Sequence, residues 1–114
     1  MDREQKLAVY ENLVAGFDDF AIKGKASRYT SMNGNMFSFL APDGTLAFRL
    51  SKDDKTAFED EHGPYDVIQY NSTMRGYVEI RDDLIADDAA LKTVFTKCVA
   101  NARTLKPKPT KKSK

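Results

Sequence analysis

Two short turn sequences, Asn33-Gly34-Asn35 and Pro42-Asp43-Gly44, stand close together between apolar runs and dictate how the middle of the chain folds. Asn and Gly tolerate positive φ, and Pro followed by Asp and Gly is turn chemistry. Ala26 to Met32 precedes the first turn, with Tyr29, Thr30 and Met32 giving strand character. Met36 to Ala41, a short apolar run, lies between the turns. Thr45 to Leu50 follows the second and alternates cleanly, with Leu46, Phe48 and Leu50 on one face and Ala47 and Arg49 on the other. Connections this short join antiparallel neighbours, because a parallel crossover needs a dozen or more residues. The three runs therefore predict an antiparallel meander.

Helical periodicity brackets the meander. From Arg3 to Lys23 the apolar residues Leu7, Tyr10, Leu13, Val14, Phe17 and Phe20 recur every three or four positions. Glu4, Glu11, Asp18 and Lys23 occupy the other side, and Gly24 suits a left-handed cap. After the meander, Ser51-Lys52-Asp53-Asp54 reads as a capped helix start, and His62-Gly63-Pro64 as its stop. Tyr65–Tyr70 and Gly76–Arg81 are two further strand candidates, with Asn71-Ser72-Thr73 looping between them. A last helix starts at Asp87 or Asp88. Its stripe is Leu91, Val94, Phe95, Cys98, Val99, Ala102 and Leu105, and Arg103 suits its negative end.

The expected order is thus α-β-β-β-α-β-β-α. Helices and strands do not alternate one for one, which argues against a doubly wound parallel sheet. The expectation is a two-layer α+β domain: a five-stranded, mainly antiparallel sheet with the helices packed on one face. It occupies residues 1–105. Residues 106–114, Lys-Pro-Lys-Pro-Thr-Lys-Lys-Ser-Lys, offer nothing apolar to bury and are expected to be a disordered tail.

That division changes the meaning of the charge. The 114 residues carry 18 Lys+Arg and 17 Asp+Glu, a net of +1. Five of the Lys fall in the tail with no acid, leaving 13 basic against 17 acidic residues in the body, a net of −4. A single Cys excludes an intrachain disulfide and a multi-cysteine metal site. No apolar run approaches the ~20 residues of a membrane span, and Met1 to Lys6 lacks a signal-peptide profile. A cytoplasmic single domain without membrane association is expected.

Ser31-Met32-Asn33-Gly34-Asn35-Met36-Phe37 and Thr73-Met74-Arg75-Gly76-Tyr77-Val78-Glu79-Ile80, in this order behind a long helix, resemble the TfoX/Sxy family N-terminal domain. The family typically carries a Met-plus-Gly-Gly turn after the first strand and a Pro/Thr-Met-Lys/Arg-Gly-aromatic-Val segment leading the last one. A Lys-rich tail is common. The likeness covers roughly residues 3–105. It departs at the turn, where Gly34-Asn35 replaces Gly-Gly and Asn33 replaces a bulkier residue. The family's named member regulates natural competence in bacteria and has a second, helical C-terminal domain, to which the likeness does not extend. Neither signature is catalytic, so the resemblance implies a regulatory or interaction module.

The remaining candidates weigh against catalysis. His62, the sole imidazole, has no second nitrogen ligand and no nucleophile nearby in sequence; at a helix C-terminus it complements the dipole. Cys98 lies on an apolar stripe and reads as a buried small hydrophobe. The Asp pairs 18–19, 53–54, 82–83 and 87–88 lack the alternation of an EF-hand and suit helix starts and solvated faces. Met36, Phe37, Phe39 and Phe48 read as core, or as a partner face wherever exposed.

Three functional readings follow. The first is a non-enzymatic module binding a protein partner through Met32, Asn33, Gly34 and Asn35 and through Met74, Arg75 and Tyr77. The second is weak, sequence-independent nucleic-acid association through Lys106, Lys108, Lys111, Lys112 and Lys114. The same tail also reads as a solubilising terminus. An enzyme comes last, since no triad, metal cluster or phosphate loop is legible. No cofactor or metal site is expected, and monomer and dimer both stay open.

Overall fold

The computed structural model describes residues 1–63, 67–69 and 72–105. The first helix, α1 (Arg3–Val14), opens on a reciprocal cap. Asp2 accepts from the Gln5 amide at 2.9 Å, and the Gln5 side chain accepts from the Asp2 amide at 2.9 Å. The helix stops well short of the expected Lys23. Ala15 and Gly16 turn the chain out, with the Phe17 amide donating to the Val14 carbonyl at 3.0 Å in a tightened last turn. Phe17 and Phe20 keep their apolar role from irregular backbone: their rings stack at 5.2 Å and both face Phe95. Arg103 grips Asp19 through two nitrogens at 3.0–3.2 Å, fastening the same stretch. Apolar spacing of three persists here because these side chains meet one core, not because the backbone is helical.

The meander is present as β1 (Arg28–Met32), β2 (Asn35–Leu40) and β3 (Leu46–Arg49), each antiparallel to the next. Asn33 (φ 54°) and Gly34 (φ 81°) both sit in the left-handed region between the paired Met32 and Asn35, the signature of a two-residue type I′ hairpin. After β3 come α2 (Lys52–His62), β4 (Ile68–Gln69), β5 (Ser72–Thr73), β6 (Tyr77–Ile80), α3 (Asp82–Ile85) and α4 (Asp88–Thr104). Ser51 caps α2 and Asp87 caps α4. The Asp pairs 53–54 and 82–83 fall in the first turns of α2 and α3.

Among the described residues the main sheet has four strands, in the order β1-β2-β3-β6, where five were expected. The candidate strand Tyr65–Tyr70 pairs only as Ile68–Gln69 with β5, in a separate two-stranded ribbon; Tyr65, Asp66, Tyr70 and Asn71 lie outside the described residues. The reason is the sheet's second face. β2 and β3 present Phe39 and Ala47 there, beside Tyr77, and these are buried with Ala41 and Val67 as a cluster of their own. A sheet apolar on both faces needs cover on both. Val67 and Met74 supply it, tied together by Met74 N–H donating to the Val67 carbonyl at 2.8 Å. The layering is therefore more than helices on one face of an otherwise bare sheet.

All four helices contribute to the first cluster, against Leu40, Leu46, Phe48, Val78 and Ile80. A bulge in β2 enlarges that face. Thr30 pairs with Ser38 and Ser31 with Met36, so Phe37 is the extra residue. Phe37 joins the helix-side core next to Ser38, while Met36 and Phe39 serve the other side. Ser38 is buried and bonded to the Tyr10 hydroxyl at 2.6 Å and to the Thr30 hydroxyl, all three fully enclosed. Arg3 and Lys6 of α1 donate to the Ala41 and Gly44 carbonyls at 2.9 and 2.8 Å, setting that helix over the second turn.

Burial has a pH consequence. It pushes the Cys98 thiol up to about 12 and the Tyr77 phenol up to about 12, and raises Tyr10 further. Folding thus favours the neutral forms. Their stabilising contribution is complete below the ordinary values of 9.0 for the thiol and 10.0 for the phenols, and is lost as pH rises through the folded ones. The urea midpoint is expected to be flat around neutrality and to fall progressively above about pH 9. A midpoint unchanged up to about pH 11 would contradict this assignment.

Candidate functional site

Where β3 runs into α2, the Leu50 amide donates to the Gly76 carbonyl at 2.9 Å, and Arg49 pairs with Tyr77 across the β3–β6 ladder. Gly76 holds φ at +85°, and a β-carbon built there would sit 3.6 Å from Cγ of Arg49. That distance is an ordinary contact, so it is the positive φ, which glycine meets without strain, that favours glycine here. The Met-Arg-Gly-Tyr segment is thus a backbone device that sets two arginines, 49 and 75, beside one depression.

That depression is an open cleft of about 740 Å³. Leu50, Val67 and Tyr77, all buried, make its floor, and Met74 and Leu105 its apolar sides. Arg49, Lys52, Lys55 and Arg75 are its cations, and no carboxylate, imidazole or thiol is among the described lining residues. Lys55 is neutralised by Glu59 at 2.7 Å. Among the described residues, Arg49, Lys52 and Arg75 enter no ion pair. Four of the body's 13 cations thus gather in one concavity of a net-acidic body. Its size falls within the ~300–1,000 Å³ of ordinary ligand sites.

Tyr77 is a support and not an acid. Its hydroxyl donates to the Met36 carbonyl at 2.7 Å, its ring lies 5.4 Å from that of Phe39, and burial raises its pKa to about 12, with the Arg49 charge pulling the other way. Cys98 donates to the Phe37 carbonyl at 3.1 Å inside the core, and burial holds its thiol protonated, opposite to what a nucleophile needs. His62 packs on Phe58, ring centroids 4.6 Å apart. No group of three or more His, Cys, Asp or Glu among the described residues could hold a metal ion. What remains is a cationic, apolar-floored surface suited to holding an anion.

Of the residues singled out from sequence, Met74, Arg75 and Tyr77 lie in this cleft. Met32, Asn33, Gly34 and Asn35 do not. They form the β1–β2 turn, with Asn33 and Gly34 exposed, Asn35 buried and Met32 against the helix-side core. Their neighbour Met36 accepts from the Tyr77 hydroxyl and packs with Met74 against the second cluster. Lys106, Lys108, Lys111, Lys112 and Lys114 lie outside the described residues, though their sequence follows directly from Leu105 of the cleft wall. Sequence reasoning missed Arg49, Lys52 and Lys55. The available signal was a cation at every third residue across the β3–α2 junction, with a strand face and a helix turn supplying the convergence. No helix among the described residues is long and apolar enough to cross a membrane. No protein-family model, curated protein or solved structure matches the chain.

Proposed function

We infer that the chain is a non-enzymatic binding module of the TfoX N-terminal-domain kind that holds an anionic group of its partner in the Arg49–Arg75 cleft. The observation carrying this reading is the set of Arg49, Lys52 and Arg75, three cations without a described ion-pair partner around an apolar floor. Guanidinium groups match carboxylate and phosphate oxygens in pairs, so an anion gains directional hydrogen bonds as well as charge. The likeness of Thr73–Ile80 to the family segment agrees with it, since that segment builds the cleft. A regulatory role through a partner follows from the same reading.

Titration calorimetry with inorganic tripolyphosphate tests it. The wild-type chain is expected to bind, and Arg75→Glu to weaken binding about tenfold or more, the scale of a lost charge-assisted hydrogen bond. Arg75 is exposed, so the substitution leaves the core untouched. Equal affinity of the two proteins would remove the cleft from the function.

A further inference from the structure

The cations without an ion-pair partner come to the cleft from separate stretches of chain. Arg49 ends β3, Lys52 opens α2, and Arg75 sits in the turn before β6. A β-carbon built at Gly76 would sit 3.7 Å from Nε of Arg49, so the Arg49 side chain runs over the residue that follows Arg75. Like charges gathered this way repel, and no carboxylate among the described lining residues offsets them. An occupant that does so brings more than one negative charge to one spot. A carboxylate brings a single charge on two oxygens, and a phosphodiester also brings one. A phosphomonoester brings about −1.5 to −2 at pH 7 on three terminal oxygens. That suits two forked guanidinium groups and an ammonium together.

A second observation bears on what carries the phosphate. Ile68 is 62% exposed, and among the described residues only Met1 joins it as an exposed large hydrophobic side chain. Ile68 pairs across the β4–β5 ribbon with Thr73, which lines the cleft, and cross-strand partners share a face. An apolar side chain thus stands open to solvent beside a cationic concavity. A free phosphate or a small monoester leaves it uncovered. A phosphorylated stretch of polypeptide lays a neighbouring apolar side chain on it while the phosphate stays on the cations.

Resting on the anion-holding reading above, we propose that the cleft recognises a phosphorylated side chain of a protein partner, with Arg49, Lys52 and Arg75 on the phosphate and Ile68 against an apolar residue beside it. Binding then switches on when the partner is phosphorylated.

Titration calorimetry on the full chain provides the test, using a short alanine-rich peptide with a central phosphoserine flanked on each side by leucine. The phosphopeptide is expected to bind, its serine form not measurably, and its aspartate form about tenfold more weakly or worse. Lys52→Gln and Arg75→Gln, both at exposed positions, should each weaken the phosphopeptide about tenfold. Ile68→Ser should weaken it about fivefold and leave glycerol 2-phosphate unchanged. The second phosphate ionisation has a pKa of about 6, so affinity should fall about tenfold from about pH 7.5 to about pH 5. The groups facing the phosphate are Arg49, Lys52, Lys55 with its partner Glu59, Arg75 and Tyr77, while α4 contributes Asn101 and Leu105. No imidazole is among them, and the aspartate peptide, which has no such ionisation, should show no step over this range. Equal affinity for the phosphoserine and aspartate peptides overturns the proposal, as does a flat pH profile. Insensitivity to Ile68→Ser overturns the protein partner in favour of a small monoester. Oligothymidylate that binds more tightly than the phosphopeptide and is lost in Arg75→Gln overturns it in favour of nucleic acid. Tripolyphosphate separates the two levels: if its binding still falls in Arg75→Glu, the anion-holding reading survives and only the phosphopeptide assignment fails. If neither tripolyphosphate nor phosphopeptide responds to the cleft substitutions, both fall together.

Discussion

Phe95→Ala is expected to cost about 3–5 kcal/mol, the range for removing a buried aromatic ring. Its ring is fully enclosed and lies 5.0 Å from Phe48 of the sheet, 5.5 Å from Phe17 and 6.2 Å from Phe20. Phe20 in turn meets Phe37 edge-on at 5.0 Å. Phe95 is thus the ring through which α4, β3 and the non-helical stretch after α1 make contact. The loss combines transfer of the ring, a cavity too broad for neighbours from three elements to close, and aromatic pairs worth about 0.5–1.5 kcal/mol each. Against a total of about 5–15 kcal/mol for a domain, this leaves a marginal protein. Urea unfolding followed by circular dichroism measures it, and Phe95→Leu, which keeps most of the volume, should cost less than half as much. A loss for Phe95→Ala below about 1.5 kcal/mol would mean that the site collapses and that Phe95 is not the junction.

The second large effect is polar. Ser38→Ala is expected to destabilise by about 1–3 kcal/mol, because it removes a bonded partner from two buried hydroxyls. Tyr10 and Thr30 both bond to Ser38, and all three are sealed from water. Removing one member of such a network costs more than removing it whole, because the survivors keep their desolvation penalty. The triple variant Tyr10→Phe, Thr30→Val, Ser38→Ala should therefore recover much of what Ser38→Ala loses. If the triple variant is the least stable of the set, the hydroxyls act otherwise than as one closed network. The same contrast bears on alkaline stability, since Tyr10→Phe removes one of the groups whose ionisation opposes folding.

How far the sequence could be read follows from which signals are local. The Asn33-Gly34 hairpin, the Ser51 and Asp87 caps and the alternation of Leu46 to Leu50 are local, and each element formed near its expected place. The end of α1 was not legible, because Phe17 and Phe20 keep helical spacing for a tertiary reason. Nor was the strand count. Whether Val67 extends the sheet or covers it depends on Phe39, Ala47 and Tyr77 forming a second apolar face, and the bulge that turns Phe37 to the helix side is invisible in a continuous apolar run. Half of the candidate site was visible as the Met74–Tyr77 segment. Arg49, Lys52 and Lys55 were not, since their convergence with Arg75 comes from pairing β3 with β6 across nearly thirty positions of chain.

Val67, Met74 and Tyr77 each belong both to the cleft and to the cluster beneath the sheet. Occupancy and local breathing are therefore thermodynamically linked. A ligand filling the cleft is expected to hold Val67 and Met74 against Phe39 and Ala47, and their opening to take away part of the cleft. A bound ligand should slow amide hydrogen exchange at Val67 and Met74 while leaving α1 unaffected, and a substitution that loosens the cover should weaken binding without touching a single cation. On the proposed reading, affinity for an anion and the protection of one sheet face become readings of the same free energy.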